Sequence, residues 1–440
     1  MLRRIIWVLV TLLTVSLFWT PAAQAYKPKS GGLFNVPNPW GSYAANWRLM
    51  THVEKAIHES RRGSTILIST YLLDRSRSVD RLVSACRRGV SVRVIMDADI
   101  DNRNSKRLIQ TLNGDNVPDR DDNGEPDRKP RAGDCNSKLR NKAAPERELL
   151  TDAEAERSLR VATEDSITWG GDRSYAKKCA GACRGGGGNM HSKFFAFSKT
   201  GKARDVVMLS SANLNKGGAL NGWNDLYTMV NRPKSYKKYN EIHREMTEDS
   251  RAGDGKVQVK DGRFISRFFP MRGASRANDP TMQDLRRIGC HSAYGRTKIR
   301  VSMFYWAKAR GDYIADKLLG LARNGCRVSI IYGAPSIPIA TRLRDAARRR
   351  LIGLYDSRWD HNRDGYNEVR THAKYVLVKG RYGSDASSHQ VWTGSQNWVS
   401  GSLSKGDEVT LNVAKKSAYN DYIDNWNVVK RHSRRLPYNR

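Results

Sequence analysis

Two short phrases constrain this chain more than its length or composition does. Asn189-Met190-His191-Ser192-Lys193-Phe194-Phe195-Ala196-Phe197 follows a glycine run and ends in an apolar stretch. Thr371-His372-Ala373-Lys374-Tyr375-Val376-Leu377-Val378 writes the same phrase again. Each His-x-Lys is followed by a second phrase, Ser210-Ser211-Ala212-Asn213 and then Gly394-Ser395-Gln396-Asn397. An acid then heads another apolar run, Asp225 in the first case and Glu408 in the second. One His-x-Lys beside a strand is a weak signal that surface accidents produce readily. The same polar series written twice, in one order, points to a constellation folded twice and used together.

The repeat extends beyond these phrases. A helix over residues 50–62, a strand at Thr65–Tyr71, a helix at Val79–Arg88 and a strand at Val90–Met96 form a β-α-β pattern with Gly89 ending the helix, which calls for parallel pairing. Lys298–Phe304, Asp312–Arg323 and Cys326–Tyr332 repeat it, with Gly325 in the place of Gly89. Strands at His191–Phe197, Val206–Leu209 and Leu226–Val230 and a helix at Tyr236–Met246 are matched by Lys374–Val378, Gln390–Thr393, Val409–Val413 and a closing helix from about Ala418. This is an internal duplication. It predicts two α/β lobes, 26–250 and 251–440, with residues 113–188 inserted in the first. Val257-x-Val259 and Phe264-Ile265 open the second.

A chain of 440 residues with 39% hydrophobic content can bury such a two-lobed core. Its formal charge of +33 favours anionic partners: phospholipid surfaces, nucleic acid or acidic polymers. Arg3 and Arg4, the apolar run from Ile5 to Trp19 and Ala23-Gln24-Ala25 read as a signal peptide cleaved after Ala25, so a secreted, soluble protein is expected. Six cysteines suit that compartment, and Cys135, Cys179 and Cys183 are the group expected to include a bridge. In the insertion, Asp119, Asp121, Asn123 and Asp127 have the oxygen-ligand spacing of a calcium loop, but Pro130 stands at the twelfth position. The plainer reading is a solvated acidic loop. Glu146–Leu159 reads as a surface helix, and Gly185–Gly188 as a flexible lead into the first site.

Strand alternation puts His191 and Lys193 on one face, and His372 and Lys374 likewise. If the lobes are related by a pseudo-twofold axis, two histidines meet across one pocket with two lysines beside them. Such a site can cleave a phosphodiester without a metal or other cofactor. One imidazole attacks phosphorus, and the other protonates the leaving oxygen and then activates water or an alcohol. The lysines, Asn213 and Asn397 would hold the non-bridging oxygens, with Ser211 and Ser395 in support. Each histidine needs an acceptor on its other nitrogen; Asp225 and Glu408 are the candidates, with Asp407 as an alternative second holder. The remaining histidines lack this context and read as surface or packing residues.

These residues resemble the phospholipase D superfamily, marked by His-x-Lys-x4-Asp followed by Gly-Ser-x-Asn, each present twice. The chain looks closest to the secreted actinobacterial type, over roughly residues 50–430. The resemblance implies a phospholipase D-like α/β fold of two pseudo-symmetric sandwich lobes with the active site at their interface. It also implies His191 as nucleophile, His372 as acid/base and no metal requirement. The sequence departs from the pattern at Ser198 and Lys379, where the family has Asp, and at Ser210, where it has Gly.

Three substrate readings follow. A phospholipase D acting on head-group diesters as a monomer in peripheral contact with a membrane suits the exported two-lobed chain, with Trp223, Trp306, Trp392 and Trp398 lining a pocket or meeting lipid. Core packing is the alternative for these tryptophans. A secreted nuclease suits the charge, with Arg61, Arg62, Arg87, Arg88 and Arg348–Arg350 as a phosphate track. A weakly active protein that binds anionic polymers or membranes is motivated by the two missing aspartates.

Overall fold

The computed structural model describes residues 26–113, 135 and 174–437. The segments read from sequence as a signal peptide (1–25), a calcium-like spacing (119–127) and a surface helix (146–159) lie outside the described residues. Two mixed sheets organise the rest. Across the seven-stranded sheet the order is Gly31–Phe34, Asp225–Met229, Ala203–Ser210, Phe194–Thr200, Thr65–Thr70, Ser91–Asp97 and Tyr175–Cys179. The second sheet contains the order Phe264–Phe269, Glu408–Val413, Asp385–Gly394, Lys374–Tyr382, Lys298–Trp306, Arg327–Pro335 and Gly353–Asp356, extended at its edges by Val257–Asp261 and Arg434–Leu436. Strand for strand the directions agree: four antiparallel pairings, then two parallel ones. The duplication read from sequence is therefore a duplication of topology.

The two β-α-β units show why the repeat was legible. Helix Ser76–Arg87 buries Val79, Leu82 and Cys86 at helical spacing. It ends when Gly89 takes φ +88° and Val90 N–H bonds back to the Ala85 carbonyl. Helix Lys308–Arg323 ends in the same way, with Gly325 at φ +96° and Cys326 N–H bonded to the Leu321 carbonyl. A left-handed residue is needed at this cap, and glycine supplies it without steric cost.

One helix of each repeat packs between the sheets. Helix Pro233–Thr247 places Tyr239 edge-on to Phe194 of the first sheet and Phe268 of the second. Helix Lys416–Arg431 places Tyr422 edge-on to Phe34 of the first and Tyr375 of the second. A continuous buried apolar cluster joins the sheets through these helices. Each sheet's outer face has its own core against outer helices. Trp223, Trp306, Trp392 and Trp398 are all buried. Packing holds them away from the surface, and Trp392 and Trp398 line a small pocket with Lys374.

Cys179 is bonded to Cys183, and Cys290 to Cys326. The glycine lead is not slack. A side chain at Gly185 would collide with the Lys405 carbonyl, and one at Gly188 would press on Gly406. Among the described residues, no helix is long and apolar enough to cross a membrane.

Candidate active site

His191 and His372 sit just before their strands, which start at Phe194 and Lys374. Each histidine is instead held by the opposite half. His191 N–H donates to the Asp407 carbonyl at 3.0 Å, and His372 N–H to the Trp223 carbonyl at 2.9 Å. The first-half phrase is thus clamped to the second half, and the second-half phrase to the first.

The side chains are crossed in the same way. His191 Nδ1 lies 2.9 Å from Glu408 Oε1. Glu408 is buried, and Ser395 Oγ donates to its other oxygen, Oε2. His372 Nδ1 lies 2.9 Å from Asn224 Oδ1, which also accepts from Ser211 Oγ at 3.0 Å. The amide orientation follows from its other end, because Asn224 Nδ2 donates to the Gly218 and Gly222 carbonyls at 2.9 and 3.2 Å. Oδ1 is therefore an acceptor, and Nδ1 of His372 carries its proton. The arrangement turns Nε2 of His191 to chemistry, and the His372 ring, whose Nδ1 and Nε2 lie 3.2 and 3.3 Å from Lys374 Nζ, keeps Nε2 as the nitrogen not held by Asn224.

Asp225 holds neither histidine. It is fully buried, and its Oδ2 accepts from Thr393 Oγ1 and from Tyr422 OH, the latter at 2.7 Å. Asp407 is also elsewhere: its carboxylate accepts Cys183 N–H at 2.5 Å and Arg184 N–H at 3.3 Å. The repeat's register explains the correction. Ser210 pairs with Leu226 as Gly394 pairs with Thr410, so the counterpart of Glu408 is Asn224 and that of Asp225 is Val409. The sequence signal was present: Ser211 to Asn224 and Ser395 to Glu408 are both 13 residues apart. A search restricted to acids passes over an amide.

Lys193 and Lys374 are buried. Lys193 Nζ donates to the His191 carbonyl and lies 5.2 Å from the Tyr71 ring, which also neighbours the His191 imidazole. Lys374 Nζ donates to the His372 carbonyl and stands 3.3 Å from His372 Nε2. Burial lowers Lys193 to about 7, against the opposing pull of Glu408 and Asp97. Burial and the Lys193 charge hold Lys374 well below its ordinary value. His372 is pushed well down by burial and then by Lys374, Lys193 and His191. His191 is lowered by burial while Glu408 opposes. These mutual effects place all four side chains in one electrostatic cluster.

Asn213 and Asn397 occupy corresponding loops and are mostly buried. Asn213 Oδ1 has no hydrogen-bond partner, and Asn397 Oδ1 accepts Tyr305 N–H at 3.3 Å. Ser211 and Ser395 brace Asn224 and Glu408 and also accept the N–H of Asp225 and Val409. The departures from the motif are structural. Ser198 Oγ accepts Thr65 N–H at 2.8 Å, and Lys379 Nζ sits 4.8 Å from the Tyr294 ring. Ser210 Oγ donates to the Asp225 carbonyl. Arg88, one of the candidates for a phosphate track, is used in the fold, donating to the Ile57, His58 and Ser60 carbonyls.

A family model described as "Cardiolipin synthase, PLD-like domain" matches residues 53–247 and 291–427, well over half of the chain. A comparison with curated proteins finds no match. Among solved structures, phosphatidylserine synthase from Haemophilus influenzae Rd KW20 superposes with a TM-score of 0.51 at 14% identity, covering 94% of this chain and 89% of that one. Polyphosphate kinase from Porphyromonas gingivalis superposes with a TM-score of 0.50 at 12% identity over 90% of this chain. The match spans only about half of that enzyme, 49% of its chain. At these identities the neighbours establish the fold alone, and the family rests on the model match, which takes in both His-x-Lys phrases. The chain belongs to the phospholipase D-like family, whose members are phosphodiesterases or phospholipid-modifying enzymes.

Proposed function

We propose that this protein is an exported phosphodiesterase of phospholipase D type, which hydrolyses or transfers phospholipid head groups through a phosphohistidine intermediate. The observation that carries the reading is the pair of crossed histidines, each held at Nδ1 by the other half, beside two buried lysines. His191 Nε2 attacks phosphorus and forms a P–N bond. The P–O bond to the leaving alcohol breaks, and that oxygen takes a proton from His372. Neutral His372 then takes a proton from water or an acceptor alcohol as its oxygen attacks. The P–N bond breaks and its electron pair returns to His191.

Glu408 favours His191 as nucleophile, because its carboxylate stabilises the positive charge the imidazole gains when bonded to phosphorus. His372 faces a neutral amide, which leaves it the readier proton donor. Its low proton affinity in the resting site comes from burial and the lysines. A bound phosphodiester carries a negative charge into that cluster and raises His372's proton affinity when substrate is present. Lys193, Lys374, Asn213 and Asn397 hold the non-bridging oxygens. No metal takes part in these steps.

The family match to a cardiolipin synthase-type domain supports a phospholipid substrate, and the two disulfides suit an exported enzyme. Nuclease activity is the second reading, favoured by the charge of +33. One protein preparation is tested on phosphatidylcholine-containing vesicles and on plasmid and single-stranded DNA, with EDTA and with added calcium. Head-group release without nicking is the expected result. Nicking without head-group release would overturn the lipid reading, and full activity in H191A would overturn the mechanism.

A further inference from the structure

Loop 360–368 reads Asp360-His361-Asn362-Arg363-Asp364-Gly365-Tyr366-Asn367-Glu368. Acids stand at its first, fifth and ninth positions, Asn at the third, and Gly at the sixth with φ +94°. This is the ligand spacing of calcium loops. Two observations go beyond spacing. First, one oxygen from each of Asp360, Asp364 and Glu368 lies within 4.8 Å of the others. Oxygens on one calcium ion, each about 2.4 Å from it, are at most about 4.8 Å apart. Second, Asp360 Oδ1 and Glu368 Oε1 are buried atoms with no hydrogen-bond partner.

Those two orphans are not stray ends of loose side chains. The other oxygen of each carboxylate is fixed by the backbone. Asp360 Oδ2 accepts Gly365 N–H at 2.9 Å, and Glu368 Oε2 accepts His361 N–H at 2.8 Å. Each carboxylate therefore has one oxygen satisfied by the loop and one without a donor. The two residues are half-buried, and a solvent-shielded carboxylate oxygen without a donor is unfavourable unless a cation meets it. An all-oxygen set of three carboxylates, an amide and main-chain carbonyls suits a hard divalent cation. A crowd of carboxylates favours calcium over magnesium, which keeps most of its water.

We propose that loop 360–368 binds a calcium ion through the Asp360, Asp364 and Glu368 carboxylates, with the Asn362 side-chain oxygen and the Tyr366 carbonyl completing the protein's share. The site is a brace for the active site and not part of its chemistry. Trp359 and Val369 close the loop with paired backbone bonds of 2.8 and 3.1 Å. Beyond them, Arg370–Thr371 pairs with Gly222–Trp223 and delivers His372. Trp359 also packs on Trp40, which stacks on Trp223.

The test uses the full protein, stripped with chelator and desalted, and terbium(III) as the probe, with Trp359 and Tyr366 as sensitisers. Wild type is expected to give terbium luminescence that calcium displaces and equimolar magnesium does not. In D360N/E368Q the affinity is expected to fall at least about tenfold. The exposed Asp364 provides a gentler variant, D364N, whose circular dichroism should match wild type while its affinity falls. D119N/D121N should keep the 360–368 signal, separating it from the other calcium-like spacing in the sequence. Absence of sensitised luminescence in wild type would overturn the proposal. So would affinity unchanged in both D360N/E368Q and D364N, or affinity lost only in D119N/D121N.

Discussion

Replacing Glu408 by glutamine removes one charge and leaves an acceptor of nearly the same shape beside His191. Burial alone would raise the Glu408 pKa, but the His191 charge and hydrogen bond, Lys193 and Ser395 outweigh it and hold the group below its ordinary value. The carboxylate is therefore ionised when His191 attacks phosphorus and becomes positive. Two unit charges about 4 Å apart interact by about 4 kcal/mol at an effective dielectric constant near 20. Lys193 and Lys374 neutralise part of this, which leaves about 2–3 kcal/mol, the range of a hydrogen bond to a charged group. Formation of the phosphoenzyme should slow by about 30- to 150-fold in E408Q. Asn224→Ala removes a neutral acceptor from His372 and should cost about 1–2 kcal/mol, or about 5- to 30-fold. Single-turnover acid quench with a chromogenic phosphodiester measures both, with thermal melts to confirm folding. An E408Q rate within about threefold of wild type, or a larger loss in N224A than in E408Q, would refute the assignment of charge to one histidine and amide to the other.

Two further outcomes follow from the surroundings of the site. Burial raises Asp407 to about 7, so its contribution to stability is full below the ordinary carboxylate range and is lost as pH rises through about 7. D407N should therefore gain stability relative to wild type by on the order of 2–4 kcal/mol between pH 4 and pH 8, read from denaturant unfolding at fixed ionic strength, and a difference independent of pH would contradict this. Gly185→Ala drives a methyl group into the Lys405 carbonyl and the Ala182 side chain. It should cost about 1–3 kcal/mol and lower activity by shifting the loop before His191; a variant with wild-type melting and rate would show that the contact is slack.

The duplication was legible because its marks are local: a glycine cap after the helix of each β-α-β unit, short apolar runs for strands buried on both faces, and polar phrases in fixed order. The site was legible only as far as those phrases reach. His191, Lys193, His372 and Lys374 stand out by repetition, but the residues that orient them come from the other half. No local pattern reports which acid crosses an interface. Asp225 attracted attention as an acid at a strand start, yet its register makes it the counterpart of Val409 and turns it into the core, against Thr393 and Tyr422. Asn224, the residue that does cross, is an amide, and only the equal spacing from Ser211 and Ser395 could have marked it. The tryptophans were ambiguous for a related reason: an indole suits a core and a lipid surface equally well until packing decides.

The central claim is that His191, braced by Glu408, forms the covalent bond to phosphorus while His372 moves the proton. The direct measurement is trapping by a denaturing quench at alkaline pH, where a phosphorus–imidazole bond survives, with a substrate carrying labelled phosphorus and a good leaving group that needs no proton from His372, followed by peptide mapping under basic conditions, in wild type and in a His372→Asn variant that cannot activate water for the second step. The account predicts label on the peptide containing His191 and none on the peptide containing His372 in wild type, with H191A unlabelled. Label on His372 in wild type, or labelling that persists in H191A, would contradict it.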